Sequence, residues 1–183
     1  LGGGGDSLIG VLHRVAAHMY DSYEIVGAVF NPNLEDSLAF ARELGISTDR
    51  IYPDLDALIA GEMKLPEAER MQVCSIQTPN FLHFPMAKAL LENGFHVICE
   101  KPMALNVAEC DAIIAACETA GVKLSVGYRL QSEPYTREIK RLVREKTFGD
   151  VLFVSADAAY VSRGNPDQWR LNRELSGGGA LLN

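Results

Sequence analysis

Within Leu8–Tyr20, apolar residues fall at Ile9, Leu12, Val15, Ala16 and Met19, the spacing of a helix with one apolar stripe. The next apolar run, Glu24–Phe30 (EIVGAVF), is short and almost unbroken, as in a strand buried on both faces. Helical spacing returns over Leu34–Leu44 and stops at Gly45, a residue suited to the left-handed conformation that closes helices. Ile51-Tyr52 then reads as a short strand and Leu55–Gly61 as a short helix.

The alternation continues with a strand at Met71–Gln77 (MQVCSIQ), a helix at Phe84–Glu92 ending on Asn93-Gly94, and a strand at His96–Cys99. A helix to Ala120 follows, with Asn106 as its N-cap and Glu109 three residues on, as in a capping box. Lys123–Tyr128 is one more strand. Strands and helices in strict alternation predict a parallel sheet covered on both faces and joined by right-handed crossovers, a Rossmann-type doubly wound α/β fold.

After Tyr128 the pattern changes. Pro134–Lys146 predicts a helix with Ile139, Leu142 and Val143 inside and Arg137, Lys140, Arg141 and Arg144 on a solvated face. Gly149-Asp150 makes a turn, and Val151–Val161 reads as a strand longer than those before it. The expected division is a first α/β domain over residues 1–130 and the beginning of a second, α+β domain over residues 131–183, incomplete as it stands.

Composition narrows the function classes. The 183 residues are 48% hydrophobic and 22% charged, which is globular rather than disordered. Seventeen Lys+Arg against 24 Asp+Glu leave a net charge of −7, which argues against duplex nucleic acid as a partner. The longest apolar run, Ala112–Cys117, falls far short of the roughly 20 residues that cross a bilayer, so no membrane span is expected. Cys74, Cys99, Cys110 and Cys117 have no C-x-x-C spacing and sit in apolar stretches, reading as buried reduced thiols of a cytoplasmic protein.

The chemistry begins at Gly2–Gly5. A glycine run directly before a helix lets backbone N–H groups and the helix dipole hold a pyrophosphate. Gly2-Gly3-Gly4 supplies G-x-G, but the next glycine, Gly10, comes later than in G-x-G-x-x-G, so the loop is a lengthened variant. A flexible tag remnant is the alternative; the helix and strand that follow at the required separation favour the nucleotide loop. Such units place an Asp or Glu about 20 residues on, against the ribose 2′-hydroxyl. Here the strand ends Phe30-Asn31-Pro32, and an uncharged Asn31 does not repel a 2′-phosphate. NAD and NADP therefore both stay open, with Glu35 and Asp36 as possible substitutes for the carboxylate.

Together, the glycine loop, Ile9-Gly10-Val11-Leu12-His13-Arg14, Thr78-Pro79-Asn80 with His83, and Glu100-Lys101-Pro102 after a strand resemble the Gfo/Idh/MocA oxidoreductases, relatives of glucose-fructose oxidoreductase and inositol dehydrogenase. The likeness continues through Gly127-Tyr128, Gly149-Asp150 and Ser176–Ala180, and E-K-P in this company is its most specific part.

The resemblance implies an NAD(P)-dependent dehydrogenase that moves a hydride between nicotinamide and a sugar, inositol or other polyol, within a homo-oligomer. It implies that Gly2, Gly4, Ile9, Asn31, Thr78, Pro79, Asn80, His83, Glu100, Lys101 and Pro102 contact cofactor. Lys101, at the carboxyl end of a strand, is the implied catalytic residue, able to polarise the reacting oxygen and join a proton relay. Glu100 would hold that lysine or a ribose hydroxyl, and Pro102 would fix the turn, a cis bond being one way.

Blander roles stand beside these. E-K-P alone is also an ordinary turn, and His83 also fits a helix-start residue bonded to backbone. His13 reads as packing or a loop-stabilising hydrogen bond, and His18 as surface. Tyr128, Trp169 and Arg170 are candidates to line a sugar site; Tyr128 also fits a core or rim position, and Trp169 an anchor of the second domain. A metal site is not expected. A non-catalytic dinucleotide-binding sensor on the same fold is the competing function. A different two-domain dehydrogenase class leaves E-K-P and T-P-N unexplained.

In that family a D-x-G-x-H segment follows the second glycine run. Here Asn183 stands at or beside the aspartate position, and an amide cannot accept a proton as a carboxylate does. At the other end only Leu1 represents the central strand that feeds the glycine loop. Both features predict that the sequence is an excerpt of a longer protein.

Overall fold

The computed structural model describes residues 1–157 and 168–178. Three parallel strands, β1 (Val73–Ile76), β2 (His96–Cys99) and β3 (Leu124–Val126), lie in that order, with Val73 opposite His96 and Val97 opposite Leu124. Single parallel bridges extend the order past β1: Gly2 pairs with Gln77, and Ala28 with Ile51. The Gly2 N–H donates to the Val29 carbonyl at 2.8 Å, and the Gln77 N–H donates to the Leu1 carbonyl at 2.9 Å. Leu1-Gly2 thus lies between the Ala28 segment and β1, in the doubly wound order expected from the alternation. The runs at Glu24–Phe30 and Ile51-Tyr52, expected as strands, are bridge-paired at Ala28 and Ile51. Alongside Leu1, an apolar cavity of about 350 Å³ opens between Val26–Ala28 and Val73–Ser75.

The helices begin and end where local chemistry dictates. In α1 (Leu8–His18) the Ser7 hydroxyl accepts from the Gly10 N–H; in α2 (Leu34–Glu43) Asn33 accepts from Glu35; in α3 (Leu55–Glu62) Asp54 accepts from Ala57. α4 (His83–Glu92) follows the Thr78-Pro79-Asn80 loop. α5 (Val107–Ala120) is capped by Asn106 through the Glu109 N–H and ends at Gly121 with φ 67°, while Glu109 accepts from the Leu105 N–H. α6 (Pro134–Arg144) starts on proline, and α7 (Arg173–Ser176) is a single turn.

Strand alternation sorts the two faces. Cys74, Ile76, Val97 and Cys99 are buried and join Leu90 and Leu91 of α4 and Ile113 of α5 in the main core. Ser75 points the other way, toward His13 of α1. A smaller cluster of Ala28, Phe30, Ala41 and Ile51 packs α2 against the sheet edge, where Phe30 meets Phe40 edge-on at 5.1 Å.

A buried ion pair ties the same edge together. The fully buried Glu62 carboxylate accepts from Arg50 Nε (2.9 Å) and Nη2 (2.5 Å), from Tyr52 Oη (2.8 Å) and from the Met71 N–H (2.7 Å). Burial alone would push its pKa up; those donors outweigh burial and hold it below the usual carboxylate range. The four cysteines are unpaired; Cys74 and Cys99 are buried, whereas Cys110 and Cys117, also expected to be buried, are only partly so. Among the described residues no helix is long and apolar enough to cross a membrane.

Two expectations for the second domain change. Residues 151–157 form no strand, and Leu152, Phe153 and Val154 are exposed; residues 158–161 of that segment lie outside the described ones. Strand geometry holds only against a hydrogen-bonded neighbour, and residues 151–157 have none among the described residues. On α6, Ile139 and Val143 are more than half or half exposed, so the apolar stripe predicted to face inward is not covered.

Candidate active site

Parallel strands deliver their loops to one edge, and the motif residues gather there. Gly2 to Gly5 leave the Leu1 segment, pass the Phe30 carbonyl and turn into α1. The approach to α1 admits no side chain: a Cβ on Gly10 would sit 1.9 Å from the Gly3 carbonyl oxygen, and one on Gly3, at φ 71°, would sit 1.9 Å from Gln77 Oε1. Arg14 Nη1 donates to the same Gly3 carbonyl at 2.6 Å while its guanidinium stacks 5.0 Å from the Phe40 ring. The loop is therefore held in place from α1, and the first-turn amides of that helix, including Ile9, lack helical acceptors. This bare-backbone cradle, with its helix dipole, fits a pyrophosphate.

Asn31 follows at the end of the neighbouring segment. It is exposed; its Oδ1 accepts from the Asn33 N–H at 2.9 Å and its own N–H donates to Ser37 Oγ. Glu35 and Asp36 stand in the first turn of α2.

Thr78 and Pro79 are partly accessible at the end of β1. Asn80 is not: it is 3% exposed, and its Nδ2 donates to the Ser176 carbonyl at 2.9 Å. His83 is 1% exposed, with Nδ1 2.6 Å from the Pro102 carbonyl and Nε2 2.9 Å from the Thr78 carbonyl. Pro102, joined to Lys101 by a cis peptide bond, is also buried. Asn80, His83 and Pro102, expected at the cofactor, are thus buried, with the Asn80 amide and the His83 ring bonded to protein carbonyls. Buried polar groups must find protein partners, and here Asn80 and His83 spend theirs on stitching the T-P-N loop to the E-K-P loop and to the second glycine run.

Glu100 and Lys101 remain at the rim. Glu100 Oε1 meets His13 Nε2 at 2.8 Å, and Oε2 accepts the Lys101 N–H at 3.2 Å. The His13 hydrogen bond, opposed by burial, keeps Glu100 below the usual carboxylate range. Gly127, after β3, backs this carboxylate so closely that a Cβ there would lie 3.0 Å from Oε1. Tyr128 is 47% exposed beside it. Trp169 carries Arg170 stacked at 4.5 Å and precedes α7, whose Ser176 is the residue held by Asn80. Asn183 lies outside the described residues. Among the described residues no cluster of metal-ligating side chains occurs.

The profile of the Gfo/Idh/MocA family, "Oxidoreductase family, NAD-binding Rossmann fold", matches residues 3–128, from Gly3 of the glycine loop to Tyr128. The chain belongs to this family. Among individual relatives, it is 32% identical over 155 residues to the uncharacterized oxidoreductase YfiI of Bacillus subtilis, covering 84% of this chain and 39% of that one. It is 36% identical over 110 residues to a D-xylose 1-dehydrogenase [NADP(+)] of Haloarcula marismortui, covering 58% and 31%. An inositol dehydrogenase homolog of Azotobacter vinelandii, solved with NADH and myo-inositol, superposes with a TM-score of 0.77 at 30% identity, covering 81% and 38%. The chain thus spans less than half the length of these relatives.

Sequence reasoning located the edge loops and missed what ties them together. Ser75, Gln77 and Arg14 were not singled out, and their only signal was their place beside the T-P-N motif and within the I-G-V-L-H-R run.

Proposed function

We propose that this chain carries the cofactor-binding portion of an NAD(P)-dependent dehydrogenase acting on a CH–OH carbon of a sugar, inositol or related polyol. The supporting observation is the gathering of the side-chain-free Gly2–Gly5 loop, Thr78-Pro79 and Glu100-Lys101 on one sheet edge. A bound nicotinamide supplies the hydride acceptor or donor. The Gly2–Gly5 backbone and the α1 N-terminus hold the pyrophosphate, and Asn31, being uncharged, admits a ribose with or without a 2′-phosphate. Glu100 accepts hydrogen bonds from a ribose hydroxyl or the Lys101 ammonium. Lys101 Nζ donates to the reacting oxygen and takes part in moving its proton.

Residues 1–130 form the dinucleotide domain in this reading, and residues 131–183 begin the domain that lines the substrate pocket, with Tyr128, Trp169 and Arg170 near it. The exposed apolar side of α6 is consistent with that division.

The test is reduced-nicotinamide absorbance during a screen of inositols and aldoses with NAD and NADP, run on the whole protein of which this chain is the cofactor-binding portion. Turnover is expected, with Lys101→Ala lowering kcat by at least about 100-fold, the scale of a lost general acid–base group. Lys101→Ala with full turnover contradicts the role of Lys101. Tight cofactor binding with no turnover on any substrate supports a dinucleotide sensor instead.

A further inference from the structure

The carboxylate of Glu100 is joined to the glycine loop by a continuous line of side chains whose widest sequence separation, from His13 to Glu100, is 87 residues. Gln77 Nε2 donates to Ser75 Oγ at 3.0 Å, and Ser75 Oγ lies 2.9 Å from His13 Nδ1. With Gln77 donating to the hydroxyl oxygen, the Ser75 proton is free to go to His13 Nδ1. A neutral ring that accepts at Nδ1 carries its proton on Nε2, and that N–H faces Glu100 Oε1 at 2.8 Å. In the Nε2–H tautomer the donors run Gln77 to Ser75 to His13 to Glu100, each polarising the next, and end on a charge. At the other end Gln77 Oε1 lies against Gly3 so tightly that no Cβ fits between them.

We propose that His13 is a positioning residue which, through Ser75 and Gln77, locks the Glu100 carboxylate to the glycine loop and so fixes the face that Glu100 presents to a bound dinucleotide. The functional half of this inference rests on the dehydrogenase reading above; the coupling itself does not. Three contacts define the plane of the carboxylate: His13 on Oε1, the Lys101 N–H on Oε2, and Gly127 behind. The Glu100 side chain keeps 18% of its surface accessible. The titratable groups around it are His13 from α1, Lys101 from its own loop and the Cys99 thiol at the end of β2, with the Gly127-Tyr128 end of β3 behind. A histidine that merely packed under the loop would need neither the Ser75 hydroxyl at Nδ1 nor the Glu100 contact at Nε2.

The test compares the full chain with His13→Leu and His13→Gln, reading the Glu100 carboxyl titration by carbon-13 NMR, the NADH and NADPH Kd by fluorescence, and the thermal midpoint. Glu100→Gln assigns the resonance. In His13→Leu the Glu100 titration is expected to move up and the cofactor Kd to weaken by about tenfold, the loss of one charge-assisted hydrogen bond. His13→Gln, which keeps an N–H near the Nε2 position, is expected to recover most of both.

An unchanged Glu100 titration in His13→Leu overturns the coupling, with or without cofactor. A shifted titration with unchanged Kd overturns the positioning role. Loss of binding that follows only the thermal midpoint, with His13→Gln no better than His13→Leu, assigns His13 to structure alone and also overturns it. Failure of the wild-type chain to bind either dinucleotide refutes the function proposed above and the ligand half of this inference, while the titration still decides the coupling.

Discussion

Adding one methyl group at Gly10 is the smallest change that separates a dinucleotide cradle from an ordinary helix start. Gly10 is buried in the first turn of α1, and its Cβ would stand 1.9 Å from the Gly3 carbonyl oxygen and 2.6 Å from the Gly3 carbonyl carbon. Real Cβ atoms essentially never come within 3.0 Å of such neighbours, so the loop and the helix must separate by about 1 Å. The obstacle is backbone and not the end of a flexible chain, and rotamer adjustment gives no relief. Overpacking of this kind costs about 1–3 kcal/mol. For a chain of this size that lowers the midpoint by roughly 2–4 °C per kcal/mol. The displaced carbonyl is the one Arg14 holds, so the loop loses its anchor together with its shape. Gly10→Ala is therefore expected to remain folded by circular dichroism with a reduced midpoint, while NADH and NADPH affinity, read by isothermal titration calorimetry, falls by more than tenfold. Wild-type affinity in a folded Gly10→Ala variant refutes the claim that this backbone approach forms the pyrophosphate site.

Two further predictions concern stability and thiol chemistry. Glu62→Gln leaves Arg50 beside a neutral amide at a buried position and is expected to cost about 3 kcal/mol in denaturant unfolding. Because the folded-state pKa of Glu62 is lowered, the stability it contributes is fully present above the ordinary carboxylate range and is lost as pH falls through the folded value. Glu62→Gln should accordingly flatten the acid limb of the stability profile; an unaltered acid limb contradicts the pair's role. The Cys99 thiol, pushed up to about 12 by burial and next by the Glu100 charge, is expected to resist iodoacetamide at neutral pH while the native fold persists. Mass spectrometry locates the label, and Cys99 modified as fast as Cys110 and Cys117 contradicts its burial.

Local chemistry was legible in the sequence and long-range chemistry was not. Asn106 opens α5 because caps act within four residues, and Gly45, at φ 70°, closes α2 for the same reason. The alternating strands and helices imply parallel order, and parallel order places T-P-N and E-K-P at one edge, so the site's location followed from topology. Whether a motif residue faces ligand or neighbouring protein depends on packing across that edge. Asn80 and His83 turn inward because Ser176 and Pro102 offer carbonyls there, partners 96 and 19 residues away. His13 meets Glu100 only because α1 crosses the Ser75 face of the sheet. Glu62 sits at the C-terminal end of an apolar helix and looks like a solvated residue until Arg50, Tyr52 and the Met71 amide are seen to converge on it. Residues 151–154 (VLFV) have strand composition, yet composition does not supply a pairing neighbour.

The dinucleotide site is tested most directly by titrating the isotope-labelled chain with NADH and following every backbone amide in nitrogen-15 correlation spectra. The predicted result is saturable shifts concentrated at Gly2–Ile9, Asn31, Thr78, Glu100 and Lys101, with α6 unmoved. Shifts that leave the Gly2–Gly5 loop and Glu100-Lys101 untouched, or no saturable shifts at all, would contradict it.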